Sequence, residues 1–232
     1  MMLNAIYESL LRSTGKSYQV DSRIPACLLF ETLLLRLVMI LRGLLKIRRK
    51  AFLGRGVIIK NRSQLHMGYG CTLGNYAVVD CYGQHGVRLG NSVNIGAGTI
   101  ISVTSHMSNY GVGLEIGDNT GVGEYSYFGC SGGIKIGADV MMGQYVSFHS
   151  QNHNYSHPTE LIRNQGVTSR GIEIGSNIWV GAKATFLDGA KVGNDCVIAA
   201  GSVVRGEFPS GVVIAGVPAK VIGAVSPQPD AP

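Results

Sequence analysis

Three histidines at four-residue spacing, His149, His153 and His157, stand in the polar stretch FHSQNHNYSHPTELIRNQG, residues 148–166. On a helix this spacing would put all three imidazoles on one face, as a metal site requires. Asn152, Asn154, Ser156 and Pro158 make the stretch a poor helix, however, and on an irregular loop the spacing loses that meaning. The other histidines, His66, His85 and His106, show no partner pattern, so no metal site is expected. Two readings stay open from the residues alone. One imidazole could serve as a general base, since its charge changes near neutral pH, or all three could be ordinary solvated loop residues.

The elements that must hold this stretch are short and regular. Small phrases of an aliphatic residue followed by Gly recur from LG at 73 to VG at 192, and the period is six residues. Ile174, Val180, Phe186, Val192, Ile198 and Val204 follow in unbroken steps of six; Leu89, Ile95, Ile101 and Ile116, Val122, Phe128 and Ile136, Met142, Phe148 form earlier runs. Six fits neither an α-helix nor an alternating strand meander. One inward side chain per short strand, with a turn after it, predicts three hexads per coil of about 18 residues and a stack of coils, a parallel β-helix. The period fails at residues 102–114 and 149–172, which predicts two extruded loops. The longer contains the three histidines. Long loops in a compact domain are where chemistry is sought.

Composition agrees. Of 232 residues 33 are Gly, with 45% hydrophobic and 15% charged, which argues for a turn-rich β protein and against disorder. Cys27, Cys71, Cys81, Cys130 and Cys196 are odd in number and unpaired in pattern, as expected of reduced, buried thiols in a cytoplasmic protein. No cleavable signal is read in MMLNAIYESLLRSTGK.

The basic character is confined to the N-terminal arm. Residues 1–62 hold 12 Lys or Arg against 3 acidic residues, a net of +9, and the rest holds 8 against 11, a net of −3. Residues 1–54 are expected to form a basic, amphipathic helical segment. Within it residues 25–50 carry too many charges to cross a bilayer. Glu31, Arg42, Lys46 and Arg49 share one face, with apolar residues over most of the rest. Two roles follow equally: a helix lying in the interface of an anionic membrane, giving peripheral contact at the inner face of the cell membrane, or a helix packed on the β domain or between subunits. No nucleic-acid partner is expected.

The phrase IGSNIWVG ending at Gly181, AAGS from Ala199 and GVPAK from Gly216, with the segment IKIGADVMMGQYVSFHSQNHNY, resemble the hexapeptide-repeat acyltransferases, in particular the galactoside, maltose and polysaccharide O-acetyltransferases. The resemblance covers about residues 55–224, leaving 225–232 as a tail expected to be disordered. It implies a mainly β fold, a left-handed parallel β-helix, working as a homotrimer with sites between subunits. It also implies acetyl-CoA as co-substrate and a sugar or glycan hydroxyl as acceptor. His153 matches the family's general base, and the Ala182 backbone N–H its oxyanion donor, with no covalent intermediate. Gly181, Ala200 and Gly201 match the small-residue edge along the pantetheine arm, Arg205 and Lys220 the phosphate contacts, and Trp179 a residue near the reacting centre. Simple packing for Trp179 and a solvated turn for Lys220 are the competing readings. Sugar N-acetyltransferases are the nearer rival, although no strand-GxGxxG unit precedes the repeats. A zinc carbonic-anhydrase-like β-helix and a non-catalytic scaffold are the others.

Overall fold

A computed structural model describes residues 19–21 and 23–225; residues 1–18 of the arm, residue 22 and the tail from 226 lie outside the described residues. One helix, Ala26–Ile47, precedes a succession of strands of two to six residues. The strands stack into three parallel sheets of nine, seven and seven strands, which are the three faces of a prism. The first face starts at Phe52–Leu53, the second at Ile58–Lys60 and the third at Leu65–Met67, and each coil visits them in that order. The β-helix thus begins at Phe52, inside the segment assigned by sequence to the arm. The strand Phe52–Leu53 already pairs with Thr72–Leu73.

The inward residues account for the six-residue period and for its failures. From Leu53 to Ile59, from Met67 through Leu73 to Val79, and from Leu89 through Ile95 to Ile101, the step is six, and so it is in every later passage across the other two corners. Between the second and third faces the steps are 8 (Ile59 to Met67), 10 (Val79 to Leu89), 15 (Ile101 to Ile116), 8 (Phe128 to Ile136), 26 (Phe148 to Ile174), 6 (Phe186 to Val192) and 4 (Val204 to Phe208). The 18-residue coil expected from the sequence therefore holds from Val180 to Ile198, while other coils are longer or shorter by what that one corner adds or removes. Both extruded loops leave the prism there.

Inside, the ladder is buried except at its ends, where Ile59, Met67 and Phe208 are partly exposed, and its second face carries a stack of rings. Phe128, Phe148 and Phe186 lie with centroids 4.7 and 4.4 Å apart and planes within 13°. Such stacking adds about 0.5–1.5 kcal/mol per pair to the burial of each ring. Outside, the third face presents His66, Arg88, Glu115, Lys135, Glu173, Lys191 and Glu207 in register. Neighbouring charges from Arg88 onward alternate in sign, and Lys191 Nζ is 3.4 Å from Glu207 Oε1. Cross-strand pairs of this kind are weakly stabilising in water, and they mark the third face as the solvated one.

The helix lies on the first face. Arg36 sits 4.7 Å above the Phe52 ring and donates to Thr72 Oγ1 at 2.9 Å, so it is a docking residue of the helix. Gly43 lets the helix approach the chain at Ala51, whose carbonyl would collide with a Cβ there. Of the 22 helical residues only Leu29, Gly43 and Ile47 are buried. Phe30, Leu34, Leu37, Leu41, Leu44 and Leu45 are exposed and fall within an arc of about 100°, with Glu31, Arg42 and Lys46 on the strip beside it, whereas Arg49, expected there from the sequence, lies past the helix end, after the left-handed Arg48. No helix among the described residues is long and apolar enough to cross a membrane. Four of the five cysteines are buried and all are free; Cys27, on the helix, is exposed. At the C-terminal end Ala219–Ala224 folds back antiparallel on Val212–Gly216 and closes the first face.

Candidate functional site

The corner between the first and second faces differs chemically from the corner between the third and first. At the latter, the amide after the hexad glycine is capped from the next coil in five coils, Asp118 N–H after Gly117 being the exception among the described residues. Tyr69 N–H donates to Asn91 Oδ1 (3.2 Å), Asn91 N–H to Asp118 Oδ1 (2.7 Å), Ala138 N–H to Ser176 Oγ (3.0 Å), Ser176 N–H to Asn194 Oδ1 (2.8 Å) and Asn194 N–H to Ser210 Oγ (2.9 Å). At the first-to-second corner Arg55 N–H is capped by Asn75 Oδ1 at 2.7 Å. Beyond it the amides of Asn75, Ala97, Glu124, Gln144, Ala182 and Ala200 have no acceptor among the described residues. A backbone donor left open to solvent at a concave edge is available to a ligand oxygen.

Ala182 is the fifth of these open amides and follows Gly181 directly. The glycine of this column is needed by the stack itself: a Cβ at Gly143 would lie 2.6 Å from Ala182 N, and one at Gly181 would collide with Ala200 N. The smallness of Gly181 is therefore explained within the chain. Gly201 is different, since a Cβ there would meet nothing within 4 Å, but its φ of +72° favours glycine. Trp179 projects from the first face, in register with Met141 and Val197, and is 58% exposed.

His153 stands at the other margin of the second face. The loop leaves after the strand Ser147–His149 and returns at Ile172–Ile174, and both feet are pinned. The fully buried Ser150 donates to Gly129 O (2.7 Å) and accepts from Gly132 N–H (2.9 Å); Asp188 Oδ1 accepts from the Arg170 and Gly171 amides (2.7 and 2.9 Å). Asn152–His153 pairs antiparallel with Val167–Thr168, with His153 opposite Val167. Further out, Gln165 holds the turn by accepting from His157 N–H and donating to the carbonyls of His157 and Glu160. His153 is exposed, and its imidazole makes no hydrogen bond to a described residue.

The three histidines are not brought together. His149 lies on the second face with its ring 5.6 Å from that of Tyr127, and shielding from water there lowers its pKa. His157 is on the exposed turn. Among the described residues no group of three His, Cys, Asp or Glu side chains is placed to hold a metal ion. Within one chain, then, Gly181, Ala182, Ala200 and Gly201 share the first-to-second corner, while His153 and the exposed Arg205, beside Gly206, belong to the second-to-third corner. Lys220 is exposed on the C-terminal hairpin, opposite Ala215. Sequence reasoning missed the open amides and the pins Ser150 and Asp188. The amide pattern depends on which coil lies above which, and the uneven corner hides that.

The family description "Bacterial transferase hexapeptide (six repeats)" matches residues 171–206. Over 150 residues the chain is 31% identical to WbbJ of Escherichia coli, a lipopolysaccharide biosynthesis O-acetyl transferase by name, covering 61% of this chain and 74% of WbbJ. The chain belongs to the hexapeptide transferase family. This hexapeptide transferase is also 33% identical over 125 residues to the galactoside O-acetyltransferase of Escherichia coli, covering 51% of this chain and 57% of that one. Among solved structures it is similar to a variant of AntD, an N-acyltransferase from Bacillus cereus in complex with dTDP-4-amino-4,6-dideoxyglucose and Coenzyme A. That likeness has a TM-score of 0.54 at 18% identity, covers 81% of this chain and 90% of that one, and shows a shared fold. The left-handed parallel β-helix expected from the repeats is the fold of this hexapeptide transferase.

Proposed function

We propose that the chain is an acetyl-CoA-dependent O-acetyltransferase that acetylates a hydroxyl of a sugar or of a cell-surface polysaccharide precursor. The observation that carries this reading is the open Ala182 amide, which stands in a row of uncapped donors at a small-residue edge. In the reaction His153 takes the proton from the acceptor hydroxyl as its oxygen forms a bond to the thioester carbonyl carbon. Ala182 N–H holds the charge that develops on the carbonyl oxygen. When the tetrahedral centre collapses the C–S bond breaks, and the imidazolium returns its proton to the departing thiolate.

His153 and Ala182 lie at opposite margins of the second face, so one copy does not complete the site. This supports a homotrimer in which the loop of one subunit reaches the open-amide corner of its neighbour. In that arrangement Trp179, Ala200 and Gly201 line the pantetheine path and Arg205 and Lys220 meet the phosphates. The exposed apolar strip of the helix, with Arg42 and Lys46 beside it, supports peripheral binding to an anionic membrane through residues 25–50. It would set the enzyme where lipid-linked glycans are built.

The test is mass-spectrometric measurement of acetyl transfer from acetyl-CoA to a panel of glycans. His153→Ala should lower the rate by about 10²–10⁴-fold; a fully active variant ends the general-base assignment, and zinc-dependent CO₂ hydration would replace it with the metal reading. Liposome flotation with and without residues 1–50 tests the arm, and equal binding ends the membrane proposal.

A further inference from the structure

The row of open amides does not stop at Ala182. Four more, at Gln144, Glu124, Ala97 and Asn75, continue along the same corner toward the N-terminal coils. They border a groove of about 460 Å³ whose floor is the glycines of successive coils and whose far wall is Met39 of the helix. The side chains of Asn94, Glu124 and Gln144 line it and make no hydrogen bond or ion pair with another described residue. At about 4.8 Å per coil the four amides span about 14 Å, more than one sugar ring.

Tyrosines follow three of the lining residues, Asn75, Glu124 and Gln144, and turn the corner beside the groove at a conformational cost. The left-handed position of this corner is Gly at 56, 98 and 201, as the geometry favours, but Tyr at 76, 125 and 145, with φ of 58°, 55° and 59°, and Lys at 183, with φ of 63°. On the third-to-first corner the same conformation is taken by Ser92, Asn119, Asp139, Asn177 and Asp195, short residues that tolerate it. Two of the glycines make room for the tyrosines: a Cβ at Gly56 or Gly98 would lie 2.5 Å from the ring of Tyr76 or Tyr125. Tyr125 and Tyr145 stack at 5.6 Å. All three stay more than half exposed, at 58, 56 and 55%, so the single chain gains little burial from them.

We infer that this groove binds the acceptor as an extended, uncharged glycan chain of at least three sugar units, running along the prism from the helix toward Ala182. Open N–H groups and the free amide and carboxylate side chains pair with ring hydroxyls, while the tyrosine rim packs against the apolar C–H surfaces of the sugars. The chain's direction rests on the assignment of Ala182 as the point of transfer; the binding does not. A monosaccharide acceptor would leave most of the row unused.

The test uses the full chain, without acetyl-CoA, on an array of bacterial surface glycans that runs from single sugars to long chains. Tyr125→Asn and Tyr145→Asn remove the rings yet keep a residue that tolerates φ > 0, and Tyr69→Asn removes an exposed ring at another corner. Chains of three or more units should bind best, and each groove variant should weaken them about tenfold or more, with Tyr69→Asn unchanged. Three results overturn the proposal: no chain on the array binds, single sugars bind as well as chains, or the groove variants bind as wild type does. A change of oligomeric state on size-exclusion chromatography in the groove variants also overturns it, assigning the tyrosines to a subunit contact. Because no transfer is measured, failure here leaves the acetyltransferase reading standing, and loss of that reading leaves this result interpretable.

Discussion

Gly143→Ala tests the role of Ala182 without touching Ala182 itself. The new methyl would lie 2.6 Å from Ala182 N and 2.8 Å from its Cα, where ordinary contact begins at 3.4 Å. The Ala182 amide must therefore retreat by about 0.8 Å, the difference between the two distances. A donor set 2.7–3.1 Å from a developing oxyanion would then sit about 3.5–3.9 Å away, outside hydrogen-bonding range. Removing one such donor costs about 10²–10³ in kcat. The steric insult also destabilises the fold, by about 1–3 kcal/mol, so a control is needed. Gly117→Ala supplies it, since its Cβ would lie 2.6 Å from Ala138 N at the third-to-first corner, away from every proposed contact. Urea unfolding should show similar losses for the two variants. Steady-state acetyl transfer should collapse for Gly143→Ala alone, with Gly117→Ala within about threefold of wild type. Equal kcat in the two variants would refute the assignment of the Ala182 N–H.

Two further outcomes concern stability. Because shielding lowers the His149 pKa below its ordinary value of about 6.5, the unfolded chain binds that proton more readily, and the stabilisation present above about pH 6.5 is lost as pH falls through the lowered folded value. Melting temperatures from neutral to mildly acidic pH should fall less steeply for His149→Gln than for wild type; parallel curves would contradict this. Ser202 has a buried hydroxyl with no partner among the described residues, whereas Ser126 Oγ donates to Gly123 O (2.9 Å) and accepts from Val146 N–H (3.2 Å). Ser202→Ala should be neutral or stabilising and Ser126→Ala should cost about 1–3 kcal/mol in denaturant melts, and equal losses would show that the hydroxyls are equivalent.

The β-helix was legible because one inward side chain per strand writes its period directly into the sequence. Ile174 through Val204 mark that period in unbroken steps of six. The two loops read as failures of that count, and in the structure they join Ile100–Ser102 to Leu114–Ile116 and Ser147–His149 to Ile172–Ile174. That every irregular step falls at one corner was less visible, because the breaks differ in size from 4 to 26 and only the prism shows them on one line. The capping of amides was hidden for the same reason, since Asn91 and Asp118 pair across 27 residues while Ser176 and Asn194 pair across 18. Arg36 reads as one cation among twelve in residues 1–62, and its place above Phe52 depends on a helix crossing that no local pattern encodes. His153 was located by resemblance. What holds its loop, Ser150 and Asp188, lies outside any motif.

The C-terminal hairpin has a consequence for the protein in bulk. A stack of parallel strands ends in a row of unpaired amides and carbonyls, and another copy could add its own first coil to that row, head to tail, without limit. Ala219–Ala224 reverses direction over the first face, and its strand exposes Lys220 to solvent. At the opposite end Gly43 brings the helix against Ala51 at the start of the first coil. Removal of the hairpin would leave a templating end, and the expected product is a filament, visible by electron microscopy, in which the coil repeat continues from molecule to molecule. The six residues after Pro218 thus cap the C-terminal end of the first face.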